Sequence, residues 1–366
     1  MFQLERNFIR HILEWKVGAY SPYHPLCAYV YFTFRCNLAC VYCNDGSGKK
    51  YSECGNEGEL DTEQWLQVLK VLRKETDVLI ITGGEPTCRK DLKELLQGCR
   101  ELNFSKVCLL TNALTLDKHP EVFEYSDLIM ISLDTLDEQK ADKMMGGKPG
   151  TLKRILANIE LAASLQQKHS FKLYFNICIT PDNIPDVHDV LDYALKLNIG
   201  FTPLPEVVAI YPREGLKDNP AYEELIDRVI SLKQNGCDVL GTMAYVGGIK
   251  HFDNYRCLPT LLARVWPNGD LCYPCQKLHK VGGNLLELGD LSLAIDEGIR
   301  KHGDIPDCDN RCHVGCYMDF SQAVQQPSIL LREGWYNLKK LTFQPDRHIR
   351  KGSKGKERED PAQVRV

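Results

Sequence analysis

A chain of 366 residues, 43% apolar and 26% charged, can bury a core without disulfide staples, which excludes a mostly disordered or fibrous protein. Forty-five basic against 49 acidic residues leave a formal charge of −4, so no nucleic-acid binding through a strongly basic surface is expected. The charged start MFQLERNFIR lacks the apolar run of a signal peptide, and no run of 18 apolar residues predicts a transmembrane segment. Sixteen cysteines, several in tight clusters, then point to a reducing cytoplasm and bound metal.

Residues 1–25 carry Phe2, Leu4, Phe8, Ile9, Ile12 and Leu13 as an apolar stripe at helical spacing, expected to pack as a helix against the strands and helices of residues 26–236. The other reading, a membrane-surface contact, matters only for a lipid substrate. From residue 26 to 236 short β-branched and aromatic runs alternate with helical patterns. The predicted strands are Cys27–Phe34, Val78–Thr82, Lys106–Thr111, Leu128–Leu133, Phe171–Thr180 and Ile199–Leu204. They read as near-continuous apolar runs, as strands covered on both faces do. Between them lie predicted helices over Asp61–Lys74, Asp91–Leu102, Thr151–Gln166, Asp186–Leu197 and Ala221–Gln234. The class is α/β with a parallel sheet, open or curled into a barrel; spacing leaves that choice open.

From 237 to 320 Pro, Gly and Cys rise, and Asn268-Gly269 between Ala263–Pro267 and Asp270–Tyr273 predicts a two-residue hairpin turn. A helix at Ser328–Lys340 lies within 321–346, and the polar tail 347–366 is expected to be disordered.

The sharpest chemical signal is Cys36-x3-Cys40-x2-Cys43, directly after the first strand. Three thiolates in eight residues of loop can converge on one metal centre and leave one coordination position open, as reactive sites do. Strand 2 ends in Thr82-Gly83-Gly84-Glu85-Pro86, where paired glycines let the backbone approach a ligand and Glu85 can accept from an ammonium. In the second unit, Cys272-x2-Cys275 beside the hairpin and Cys308-x3-Cys312 spell a closed four-cysteine zinc pattern, with Cys257 and Cys316 in addition. Cys27, Cys54, Cys88, Cys99, Cys108, Cys178 and Cys237 are scattered, and Cys108 and Cys178 read as buried apolar residues within strands.

Cys36-x3-Cys40-x2-Cys43 with Tyr42 before the last cysteine, followed some 40 residues later by Gly83-Gly84-Glu85-Pro86, resembles the radical SAM superfamily. The resemblance implies a partial (β/α)6 TIM-type barrel over 26–236. It implies a [4Fe–4S] cluster on Cys36, Cys40 and Cys43, and S-adenosylmethionine chelating the open iron. Gly83, Gly84, Glu85 and Pro86 then meet the methionine amino group. Thr111-Asn112, Ser132, Asp134 and Asn176 fall where family members contact the rest of the cofactor, with Tyr42 beside it. The second unit resembles the small cysteine-rich SPASM/twitch extensions that bind auxiliary [4Fe–4S] clusters. Six cysteines with x3/x3 spacing at the end, against seven or more in a full pattern, suit one auxiliary cluster, a second being left open. Its expected ligands are first Cys257, Cys272, Cys275 and Cys316, then Cys308 and Cys312.

The activity so implied is reductive cleavage of S-adenosylmethionine to a 5′-deoxyadenosyl radical that removes hydrogen from a substrate, with electrons from a flavodoxin or ferredoxin. The first cluster cysteine at residue 36 leaves no room for a preceding peptide-recognition domain, so the expected substrate is a small metabolite (sugar, nucleoside or lipid precursor) rather than a ribosomally made peptide. Two readings of another class are an Fe–S electron carrier and a zinc-binding non-enzyme. Neither has use for an amino-group ligand at Gly83–Pro86. Tyr245 and Glu206, polar groups beyond the last barrel strand, are too weakly signalled to serve as sites.

Overall fold

The computed structural model describes residues 3–43, 49–305, 312–340 and 343–350. Phe2, Cys308 and the tail from residue 351 lie outside the described residues.

Six strands build the frame: β1 (Cys27–Thr33), β2 (Val78–Gly83), β3 (Lys106–Thr111), β4 (Leu128–Ser132), β5 (Lys172–Ile179) and β6 (Gly200–Pro205), each paired in parallel with the next. A two-strand ribbon, β7 (Val207–Val208) and β8 (Tyr211–Pro212), comes after β6. The cysteine-rich segment continues the same sheet. Its β9 (Leu262–Val265) pairs in parallel with β1, and β10 (Asp270–Tyr273) and β11 (Lys280–Asn284) extend it in antiparallel fashion. The nine-stranded order β11-β10-β9-β1-β2-β3-β4-β5-β6 has no pairing between its ends, as a partial barrel requires.

Helices cover one face. The helix Thr62–Glu75 starts at a reciprocal cap, in which Asp61 accepts from Gln64 N at 2.9 Å and Gln64 accepts from Asp61 N at 3.0 Å. It buries Trp65, Val68, Leu69 and Leu72. Leu79, Ile81, Leu109, Ile129, Ile131, Phe175 and Ile177 meet it and its neighbours with no exposed surface. The opposite face was expected to be covered as well, and here the structure differs. Ile80, Cys108, Leu110, Met130, Ser132, Asn176 and Cys178 alternate with the buried set and stay partly open, because an unclosed barrel leaves its lumen unfilled.

Three further expectations are corrected. The turn between β9 and β10 spans four residues, Trp266 to Gly269, with Gly269 N donating to Trp266 O at 2.9 Å. Pro267 cannot donate to a ladder, which ends β9 at Val265, and it suits the second position of such a turn. The start of the polar tail is held in place: the Arg350 guanidinium reaches Asp192 (2.9 Å) and Asp189 on the helix Ile184–Leu197. The N-terminal helix Gln3–Lys16 uses only part of its stripe: Leu4 and Phe8 pack with Leu26, Leu258, Leu261 and Val324, whereas Ile9 and Leu13 are exposed. Its fully buried residues are polar, with Asn7 donating to Pro25 O and Glu75 O and His11 bonded to His24 O.

Candidate functional site

All six barrel strands run in the same sense, so the segments after β1, β2, β3 and β4 share one rim, the face on which α/β barrels carry their chemistry. The cysteine loop is rooted there by backbone. Gly84 N donates to Thr33 O at 2.9 Å and Glu85 N to Arg35 O at 2.8 Å. A Cβ on Gly83 would strike Thr33 O, and one on Gly84 would strike the carbonyls of Phe34 and Arg35. The close approach that the paired glycines permit is therefore first of all that of β2 to the root of the cysteine loop.

Beyond the root, Cys36, Cys40 and Cys43 are half-buried. Leu38 N and Asn112 Nδ2 point at Cys36 Sγ from 3.5 and 3.9 Å. Ala39 N and Val41 N donate to the carbonyls of Met145 and Met144, fastening the loop to the end of the helix Glu138–Met145. Burial pushes the thiols up, Cys36 to about 11 and Cys40 and Cys43 to about 12, and the neighbouring cysteines add to this for Cys40 and Cys43. Among the described residues no three metal-ligating side chains are drawn in to the spacing of a bound ion. Three thiols on one anchored loop, with a polar amide beside them, nevertheless fit a cluster with one open position.

Glu85 is 1% exposed, and its carboxylate accepts four hydrogen bonds. Thr87 N (3.1 Å), Thr87 Oγ1 (2.8 Å) and Thr111 Oγ1 (2.9 Å) reach one oxygen, and Asn112 N (2.7 Å) reaches the other. Burial raises its pKa and these donors oppose the rise. The side chain that the resemblance assigns to the methionine amino group thus pins the ends of β2 and β3 together. Pro86 is buried at the start of the short turn Pro86–Cys88. Asn112 also donates to Asn37 Oδ1 at 2.7 Å, so β3 touches the cysteine loop directly.

Tyr42 donates to Asp134, whose other oxygen accepts from Cys178 N at 2.7 Å. This ties the residue between Cys40 and Cys43 to the ends of β4 and β5. Burial lifts Asp134 to about 6 against those two donors. Ser132 and Asn176 are partners in register on the partly open face of β4 and β5. Tyr245 is buried with its hydroxyl on Pro203 O, and Glu206 is paired with Arg213 at 3.3 Å, so neither faces this rim as a free group.

Sequence reasoning missed three supports. Glu59 accepts from Phe34 N and Thr33 Oγ1 and pairs with Arg35. Arg89, 6% exposed, binds Asp91 through two nitrogens and gives its third to Phe32 O and Leu60 O. The helix Glu138–Met145 holds the cysteine loop; Asp137 ahead of it, accepting from Lys140 N, was the available signal.

Against β1 and β2, Cys257, Cys275 and Cys316 share one packed cluster with Cys27, Tyr29, Val78, Ile80 and Tyr317. Cys272 is buried on β10, and the carbonyl of Cys312 accepts the Tyr255 hydroxyl bond. Burial raises Cys272 and Cys275 and lifts Cys312 to about 11, with Cys275 and Cys316 adding to Cys312. Cys312 is thus near enough to Cys275 and Cys316, and Cys272 to Cys275, to feel their charge, though among the described residues no three are drawn in to the spacing of a bound ion; Cys308 lies outside the described residues.

Residues 30–194 match the model of the Radical SAM superfamily. The match spans a little under half of the chain. That match and the relatives named for GTP cyclisation indicate an S-adenosylmethionine-dependent enzyme. It is 29% identical over 287 residues to the Probable GTP 3′,8-cyclase of Archaeoglobus fulgidus, covering 74% of this chain and 92% of that protein. The protein of the same name from Methanosarcina mazei is 34% identical over 134 residues, 36% of this chain and 39% of that protein's length. Among solved structures, SuiB of Streptococcus suis bound to S-adenosylmethionine shares the fold (TM-score 0.58, 19% identity, 81% of this chain, 70% of SuiB). So does anSMEcpe with bound AdoMet (TM-score 0.57, 17% identity, 88% and 99%). Among the described residues no helix is long and apolar enough to cross a membrane.

Proposed function

We propose that the enzyme binds a [4Fe–4S] cluster on Cys36, Cys40 and Cys43 with S-adenosylmethionine beside it, and takes a hydrogen atom from a small metabolite. The meeting of the cysteine loop, the Gly83–Pro86 segment and Thr111-Asn112 at one rim carries this reading. When bound, the cluster supplies the electron that splits S-adenosylmethionine into methionine and a 5′-deoxyadenosyl radical.

The protein's own contribution is positioning. Three donors occupy one oxygen of Glu85 and a single one, Asn112 N, the other, so that second oxygen, with the backbone carbonyls of the β2 end, can receive the methionine ammonium. Ser132 and Asn176, side by side on the open face, offer a hydroxyl and an amide to the ribose and adenine. The Tyr42–Asp134 bond holds the loop between two ligands at a fixed distance from that face. Cys257, Cys272, Cys275 and Cys316, with Cys312 near, hold one auxiliary [4Fe–4S] cluster in a SPASM/twitch-like unit. A flavodoxin or ferredoxin supplies electrons.

A nucleotide is the small metabolite to test first, because the chain aligns over most of its length with a relative named for GTP cyclisation. The assay is 5′-deoxyadenosine by chromatography after anaerobic reconstitution, with dithionite and S-adenosylmethionine. The expected result is slow basal product, raised about tenfold or more by GTP or another nucleotide. A short precursor peptide should change nothing, and a Cys36/Cys40/Cys43→Ala variant should give no product. Stimulation by the peptide alone would overturn the small-metabolite reading. Absence of product from iron-loaded protein under every addition would overturn the radical reading.

A further inference from the structure

Arg264 lies on β9 opposite Tyr29 of β1 and is 3% exposed. Its guanidinium donates to Tyr317 Oη at 2.7 Å, to Tyr31 Oη at 3.3 Å and to Cys316 Sγ at 3.0 Å. Its guanidinium carbon lies 4.0 Å from the Tyr29 ring centre and 4.9 Å from that of Tyr317. Among the described residues no Asp or Glu reaches it within ion-pairing distance, whereas Arg89, Arg100 and Arg228 each have a carboxylate. A guanidinium keeps its charge in any protein interior, and taking one out of water without an anion costs several kcal/mol. Phenol hydroxyls and ring faces offset part of that cost but carry no formal charge. The anionic chemistry on hand is sulfur: Cys316 in direct contact, Cys272 and Cys275 close enough to feel Arg264 electrostatically, and Cys27 on the neighbouring strand.

We propose that Arg264 is the built-in counter-charge of a thiolate-ligated metal centre on Cys316, Cys272 and Cys275, and that it holds the reduction potential of that centre up. The proposal rests on the auxiliary-cluster reading above. A fixed positive charge in direct contact with a ligand sulfur favours the state with one more electron. Among the described residues Arg264 bonds to none of the Cys36 loop, so its effect falls on the second centre. It is a positioning and tuning residue rather than a catalytic one.

The test uses the full chain with Cys36, Cys40 and Cys43 all changed to Ala, so that only the second centre remains. Iron and sulfide content are measured first, then the potential by EPR-monitored redox titration, with Arg264→Gln and Arg264→Lys added. The expected result is a cluster whose reduced-to-oxidised ratio at fixed potential falls about tenfold or more in Arg264→Gln, which is about 59 mV for one electron. Arg264→Lys keeps the charge and should stay within about threefold of Arg264. A loaded cluster whose potential Arg264→Gln leaves unchanged overturns the role of Arg264 and spares the auxiliary cluster. A triple variant without iron overturns both. If Arg264→Gln does not fold, Arg264→Lys decides alone, and a tenfold fall there overturns the proposal.

Discussion

Replacing Arg89 by methionine is expected to destabilise the chain by about 2–6 kcal/mol, because it strips two carbonyls of a buried donor at about 1–3 kcal/mol each, while the partly exposed Asp91 is left to water. The arginine makes four hydrogen bonds from a site 6% exposed: two to the Asp91 carboxylate, at 2.8 and 2.6 Å, and two to the carbonyls of Phe32 and Leu60, at 2.8 and 3.0 Å. Methionine fills the volume and satisfies none of these acceptors. Because Phe32 lies one residue before the end of β1, the loss is expected to loosen the root of the cysteine loop as well. The same pair sets a pH dependence. Burial alone would raise Asp91, but hydrogen bonds from Arg89 and Thr62 and the Arg89 charge bring it down to about 2. A depressed carboxylate contributes stability above its unfolded value near 3.8 and loses it as pH falls through about 2. Urea denaturation of the two proteins at pH 7 and at low pH checks both effects. A difference below about 1 kcal/mol at pH 7 would contradict the account.

Gly84→Ala should act on the site more than on the fold. The added methyl would press on the carbonyls of Phe34 and Arg35, which are backbone and have nowhere to move while Gly84 N and Glu85 N stay bonded to Thr33 O and Arg35 O. Either those two bonds break or the cysteine loop lifts from β2. Overpacking of this kind costs about 1–3 kcal/mol in stability. The larger consequence is separation of the thiols from the segment that is to meet S-adenosylmethionine. The expected outcome is retention of secondary structure by circular dichroism and a fall of about tenfold or more in S-adenosylmethionine affinity by equilibrium dialysis of the reconstituted protein. Unchanged affinity would mean that the glycines do not set the distance between the two segments.

The strands were legible because short β-branched and aromatic runs are hard to read otherwise; Lys106–Thr111 is β3 to the residue. The two motifs on the rim stood out by their places at strand ends, Cys36 shortly after β1 and Gly83 closing β2, and the resemblance named what they would hold. What they do locally was not legible. The carboxylate of Glu85 has donors from Thr111 and Asn112, at the end of the next strand, and nothing in Gly-Gly-Glu-Pro announces that link. The helix Glu138–Met145 escaped because it buries only Ala141 and Met145, too few to make a stripe. One-sided exposure of the strands escaped because Ile80, Leu110 and Met130 are as apolar as their buried neighbours; an unfilled lumen leaves no mark in hydrophobicity. Continuity of β9 with β1 and the Arg264–Cys316 contact join segments far apart in the chain, beyond the reach of local pattern.

An open iron position on the Cys36, Cys40 and Cys43 site is the central requirement of this chemistry, and the measurement that addresses it most directly is EPR of the dithionite-reduced protein with and without S-adenosylmethionine. Addition of S-adenosylmethionine is predicted to change the signal of the cluster in the wild-type chain, and to leave the Cys36/Cys40/Cys43→Ala variant unaffected. A reduced cluster indifferent to S-adenosylmethionine, or a colourless protein loaded with zinc, would contradict the account.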